Sequence, residues 1–180
     1  VFTNFDQLIE KVKGYPSRKR MAVAAAGDEH TLQAVMHARK EGIVDPLLVG
    51  DKAEIDRILS EMGETVAPEH IFDYPDVKDA AEYVVQLVRE GKADFLMKGR
   101  LDTAVILKAV VNKEHGLGQG RTMSHFTMFE IPTYHKILVP VDGGMVTYPT
   151  LEQKKDIINN TVETLIAMGY DCPKVGVLAC

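Results

Sequence analysis

Residues 93–103, Ala93-Asp-Phe-Leu-Met-Lys-Gly-Arg-Leu-Asp-Thr103, carry the reading of the fold. The apolar run Asp94 to Met97 has the length and composition of a buried strand. Gly99 breaks it, and Asp102 or Thr103 offers a cap for a helix running to about Lys113. Working backwards, Gly91 closes a helix opened by Pro75-Asp76, in which Val77, Ala80, Ala81, Val84, Leu87 and Val88 keep three-to-four spacing. The same rhythm precedes it. Met21 to Ala26 reads as a strand, Asp28 caps a helix whose inner face is Leu32, Val35 and Met36, and Pro46 to Val49 is a second strand. Gly50-Asp51 then starts a helix to Met62, and His70 to Tyr74 is a weaker strand. An amphipathic helix over Thr3 to Lys13 comes first. Helices wedged between short apolar strands imply a parallel sheet, because parallel neighbours need a crossover that is usually a helix. The expected class is α/β, three-layer α/β/α, with a mostly parallel sheet.

After Lys113 the rhythm changes. His115 to Arg121 is a glycine-rich loop. Thr127 to Ile131 and Lys136 to Val141 read as strands joined through Pro132. Thr150-Leu-Glu-Gln153 is a capping box for a helix to Met168, and Val175 to Leu178 reads as one more buried strand. The expected division is a first α/β domain over residues 1–126 and the start of a second over 127–180. A strand-like segment at the last residues suggests that sequence is missing beyond them.

The chain has 180 residues, 46% hydrophobic and 26% charged, in the range of ordinary globular proteins. With a net charge of -5 it has no electrostatic footprint for coating nucleic acid or anionic lipid, so any anion must be gripped locally. Its longest apolar runs are far shorter than a membrane span. Cys172 and Cys180 read as small buried hydrophobes with reduced thiols, which points to a cytoplasmic protein. The six histidines are scattered without metal-ligand spacing, and no metal is expected.

In an open parallel sheet, ligands gather where strands end and helices begin. Three segments qualify: Ala26 to Glu29, Met97 to Thr103, and Val141 to Gly144. The second is the richest, with a glycine for close approach, Lys98 and Arg100 for charge, and a helix start. It reads either as a phosphate cradle or as an exposed basic turn with Asp102 as a plain cap. Gly116-Leu-Gly-Gln-Gly120 is spaced GxGxG after a helix, which excludes a dinucleotide fingerprint. As a loop over a cleft it would bring Arg121 and Ser124 within reach of an anion; as a plain surface loop it would not. Asp142, at the end of an apolar strand before Gly143-Gly144, is either a crevice carboxylate or a turn former.

Taken in order, Ala93 to Thr103, Asn112-Lys-Glu-His-Gly-Leu117, Thr122-Met-Ser-His125, Val141-Asp142, Thr147-Tyr-Pro149 and Lys155-Asp-Ile-Ile-Asn-Asn160 resemble the phosphate acetyl/butyryltransferase family, and its butyryl branch most. The resemblance runs almost end to end. It departs at Val146, close to where the family usually has an asparagine, and in length, since family members continue well past Cys180. The expectation is therefore a fragment whose second domain is begun but truncated, with the fold of isocitrate and isopropylmalate dehydrogenases.

The resemblance implies reversible transfer of a short acyl group, butyryl or acetyl, between coenzyme A and inorganic phosphate. Acyl-CoA and phosphate are the partners, coenzyme A is a substrate, and no bound cofactor or covalent intermediate is implied. It further implies phosphate holding by Lys98, Gly99, Arg100 and Thr103, with Arg121 and a hydrogen bond from Ser124 beside them, and Asp142 orienting or lining the site. The base that forms the thiolate is expected beyond Cys180, and a symmetric homo-oligomer is expected. Two other readings differ in class. One is an inactive, ligand-binding or assembly half-enzyme. The other is a nicotinamide-dependent decarboxylating dehydrogenase, against which stand the missing dinucleotide loop and metal-binding carboxylates.

Overall fold

The structure, a computed structural model, describes residues 2–178. Its centre is a sheet of four parallel strands in the order β3-β2-β1-β4, where β1 is Lys19–Ala24, β2 Val44–Gly50, β3 Ile71–Asp73 and β4 Phe95–Lys98. Side chains alternate across a strand, so β1 feeds two separate cores. Met21 and Val23 join Leu32, Val35 and Met36 of α2 (Glu29–Lys40) and Ile55, Ile58 and Leu59 of α3 (Lys52–Glu61). Ala22 and Ala24 face the other way, onto Ala80, Ala81, Val84 and Leu87 of α4 (Val77–Arg89) and Ile106 of α5 (Thr103–Val110). Helices on both faces of a parallel sheet make the expected three-layer α/β/α arrangement. The alanines of β1 are wholly buried, which lets α4 sit close to the sheet.

Helix starts follow the sequence reading. Asp28, Asp51 and Asp76 each accept a hydrogen bond from a backbone N–H two or three residues on, and so cap α2, α3 and α4. Gly91, at φ +68°, takes the left-handed conformation needed to leave α4. Helix α5 stops at Val110, short of Lys113, because the Asn112 side chain accepts from the N–H groups of Glu114 and His115 and offers the backbone a turn instead.

Contacts divide the chain into two compact units, one of residues 11–118 and the other of the described residues within 1–10 and 119–180. The sheet lies in the first. The second contains α6 (Leu151–Ala167), whose capping box is present in full: Thr150 Oγ1 accepts from Gln153 N, and the Gln153 side chain accepts from Thr150 N.

Three expectations need correction. The two strands expected over Thr127 to Ile131 and Lys136 to Val141 shrink to one antiparallel bridge, Phe129 with Leu138, bonded in both directions at 2.8 and 2.9 Å. The next pair outward would set Thr127 against Pro140, which has no N–H; the next inward would set Ile131 against Lys136, but Ile131 O already accepts from Tyr134 N in a turn. The segment Val175–Leu178 is exposed and is not a strand, since no strand among the described residues pairs with it. Cys172 is exposed in the turn after α6 rather than buried; Cys180 lies outside the described residues.

Candidate active site

The strand order places a reversal between β1 and β4: α2 leaves β1 toward one face of the sheet, and α5 leaves β4 toward the other. At such a point the carboxyl ends of neighbouring strands open a crevice. Two turns meet there. Ala25 holds a left-handed conformation, φ +51°, uncommon without glycine, and its carbonyl accepts from Arg100 N at 3.1 Å, while Ala24 O accepts from Gly99 N at 2.7 Å. A β-carbon on Gly99 would stand 2.5 Å from Ala25 O and 2.8 Å from Ala24 O. Glycine is therefore required by contact between two backbones, and the loop beyond it is fixed in place.

That loop presents three groups. The Lys98 ammonium folds back, donating to Gly99 O and Leu101 O, so its charge sits over its own turn. Arg100 extends outward with its side chain 81% exposed, one guanidinium nitrogen 4.0 Å from Asp28 Oδ1. Backbone and hydroxyl hydrogen bonds from Thr31 hold the Asp28 carboxyl below its ordinary range, against a small opposing effect of burial. Thr103 begins α5, whose N-cap Asp102 makes no side-chain capping bond. Val105 N donates to Asp102 O at 3.0 Å, but among the described residues no side chain takes the first N–H groups, those of Thr103 and Ala104, whereas Asp28, Asp51, Asp76 and Thr150 spend their side chains on capping. In this first unit the structure brings together Lys98, Gly99, Arg100 and Thr103, as the sequence suggested.

Arg121, Ser124 and Asp142 belong to the second unit. Arg121 is paired with Glu163 of α6 at 2.6 Å. Thr122 N donates to Asp156 Oδ2 at 2.9 Å, and the Asn160 amide nitrogen donates to Thr122 O at 2.9 Å and to Ser124 Oγ at 3.2 Å. One face of α6 thus fastens the Thr122–Ser124 segment. A cavity of about 220 Å³ adjoins it, lined by Met123, Ser124, Phe126, Asn160, Thr161 and Thr164.

Asp142 makes no hydrogen bond to Ser124; it receives His125 N on one oxygen and Gly144 N and Met145 N on the other. Burial opposes ionisation there, but the three N–H donors outweigh it and hold the carboxyl below its ordinary range. Asp142 ties two loops together. Among the described residues no group of three or more His, Cys, Asp or Glu side chains could hold a metal ion, and no helix is long and apolar enough to cross a membrane.

Asp156 and Asn160 are the functional candidates that the residue-by-residue reading did not single out. Their signal was present. Two polar side chains four apart lie on a helix that buries Ile157, Thr161 and Leu165, and so share one face beside the buried one.

Residues 74–180 match the family model described as phosphate acetyl/butaryl transferase. The chain is 45% identical over 172 residues to a phosphate butyryltransferase of Clostridium acetobutylicum, covering 96% of this chain and 57% of that protein. It is 38% identical over 173 residues to a phosphate acetyltransferase of Thermotoga maritima, covering 96% and 58%. Among solved structures, a phosphotransacetylase from Streptococcus pyogenes superposes with a TM-score of 0.73 at 20% identity, covering 93% of this chain and 59% of that one, and shares the fold. A branched-chain phosphotransacylase from Enterococcus faecalis gives 0.65 at 25% identity, covering 84% and 52%. The chain spans somewhat over half the length of the relatives it matches.

Proposed function

Because the chain belongs to the phosphate acetyl/butaryl transferase family, we propose that it serves the reversible transfer of a short acyl group between coenzyme A and inorganic phosphate. In the direction of thioester synthesis, the coenzyme A thiolate attacks the carbonyl carbon of the acyl phosphate. The tetrahedral intermediate collapses with release of phosphate, and the thiol proton goes to a base. The chemistry needs a grip on a dianion and donors for the developing oxyanion.

The observation that carries this reading is the β4–α5 turn. A glycine pressed onto two carbonyls holds the loop, the N-terminus of α5 has no side-chain cap, and Arg100 stands outward beside it. Gly99, Arg100 and Thr103 are assigned to the phosphate, with Lys98 contributing charge through the turn it closes. Ser124 is assigned a hydrogen bond to the reacting group, and Arg121 a supporting charge that must be shared with Glu163. Asp142 orients the loops around His125 and does not act as the base. Acyl-CoA and phosphate are the substrates, butyryl or acetyl the group transferred, with no resident cofactor, in a cytoplasmic homo-oligomer.

The test is thiol release from butyryl-CoA in phosphate, compared for the wild type and Arg100→Ala in the full-length protein. Losing one charged hydrogen bond of about 1.5–3 kcal/mol raises the phosphate KM roughly 10- to 100-fold. The melting temperature stays unchanged, since the Arg100 side chain is exposed. An equal rise in the KM of both substrates removes the phosphate role, and a wild type without turnover removes the reading itself.

A further inference from the structure

We infer that Asn160 is a positioning residue that turns Ser124 into a hydrogen-bond donor. The inference rests on the proposed role of Ser124 and goes one step beyond it.

The argument starts from what each atom can do. Thr122 O can only accept, so the Asn160 group facing it at 2.9 Å is the amide nitrogen, with two N–H bonds. The second of these reaches Ser124 Oγ at 3.2 Å. A hydroxyl oxygen that accepts keeps its own proton for another partner. Asn160 therefore fixes the polarity of Ser124, with its oxygen satisfied from α6 and its O–H left to donate.

The serine is also held in place from behind. Asp156, one turn earlier on α6, accepts from Thr122 N at 2.9 Å, so the N–H and C=O of Thr122 are both bound by the same helix face. The cavity of about 220 Å³ beside Ser124 and Asn160 leaves room for a group to receive that proton. A donor of fixed polarity suits an oxygen that gains negative charge in the tetrahedral intermediate, because no reorientation is needed when the charge appears.

The experiment is a double-mutant cycle on the intact protein, with thiol release from butyryl-CoA plus phosphate as the readout. The variants are Ser124→Ala, Asn160→Ala, Asn160→Asp and the double alanine variant, each checked by thermal melting. Asn160→Ala should lower kcat about 5- to 10-fold and leave both KM values within about twofold. The double variant should be no slower than Ser124→Ala alone, because the amide acts only through the hydroxyl. Asn160→Asp, nearly identical in shape, should be at least as slow as Asn160→Ala, since a carboxylate would take the serine proton for itself. If Asn160→Ala does not fold, Asn160→Ser replaces it in the cycle. A wild-type kcat in the Asn160 variants, or losses that multiply in the double variant while Ser124→Ala is itself slow, overturns the inference and leaves the function standing. A fully active Ser124→Ala instead refutes the role given to Ser124, and the inference falls with it.

Discussion

Gly99→Ala is the substitution for which the structure supplies the clearest magnitude. The new methyl carbon would meet Ala25 O at 2.5 Å and Ala24 O at 2.8 Å, where ordinary contact begins at 3.4 Å. Neither carbonyl can swing aside freely, since Ala24 O accepts from Gly99 N and Ala25 O from Arg100 N. The loop must therefore lift by nearly 1 Å. Lifting it weakens both bonds, each worth about 1 kcal/mol net, and opens the packing of Leu101 below, so a loss of roughly 2–4 kcal/mol is expected. Urea unfolding followed by circular dichroism reads this directly. At a slope of about 2 kcal/mol per molar, the midpoint should fall by roughly 1–2 M. The phosphate KM should rise in the same protein, because the displaced segment carries Arg100 and the start of α5. An unchanged midpoint would refute the close approach of the two backbones. A lowered midpoint with an unchanged phosphate KM would separate the turn from the ligand.

Lys98→Met separates charge from scaffold: because the ammonium donates to Gly99 O and Leu101 O, it should raise the phosphate KM and also lower the melting temperature by a few degrees, at about 1 kcal/mol lost. A melting temperature equal to wild type would show that the two carbonyl contacts contribute nothing. Asp142→Asn should destabilise by about 1 kcal/mol at pH 7, since an amide can present only one acceptor to the three N–H groups that the carboxylate now receives. The carboxyl is held below its ordinary range in the folded protein, so its contribution is present above the unfolded value of about 3.9 and is lost as pH falls through the lower folded value. The gap between the urea midpoints of wild type and Asp142→Asn should accordingly narrow as pH falls below about 4, and a gap that does not change with pH would contradict the ionised state.

What the sequence determined by itself is whatever depends on neighbours along the chain. Asp28, Asp51, Asp76 and Thr150 cap helices with donors two or three residues away, and Met21 to Ala24 and Leu47 to Val49 alternate between two faces because a strand must. The cluster of Lys98, Gly99, Arg100 and Thr103 was legible for the same reason, since six consecutive residues build it. Contacts between distant segments were not. Whether 127–141 forms a ladder turned on which residue faces Pro140, and the exposure of Val175–Leu178 turned on a partner strand that nothing local could supply. The fastening of Thr122 and Ser124 by Asp156 and Asn160, more than thirty positions away, exists only once α6 lies against that segment. Caps and periodicity are fixed within a turn or two of chain, whereas the direction in which a serine offers its proton is set by a side chain that only folding brings near.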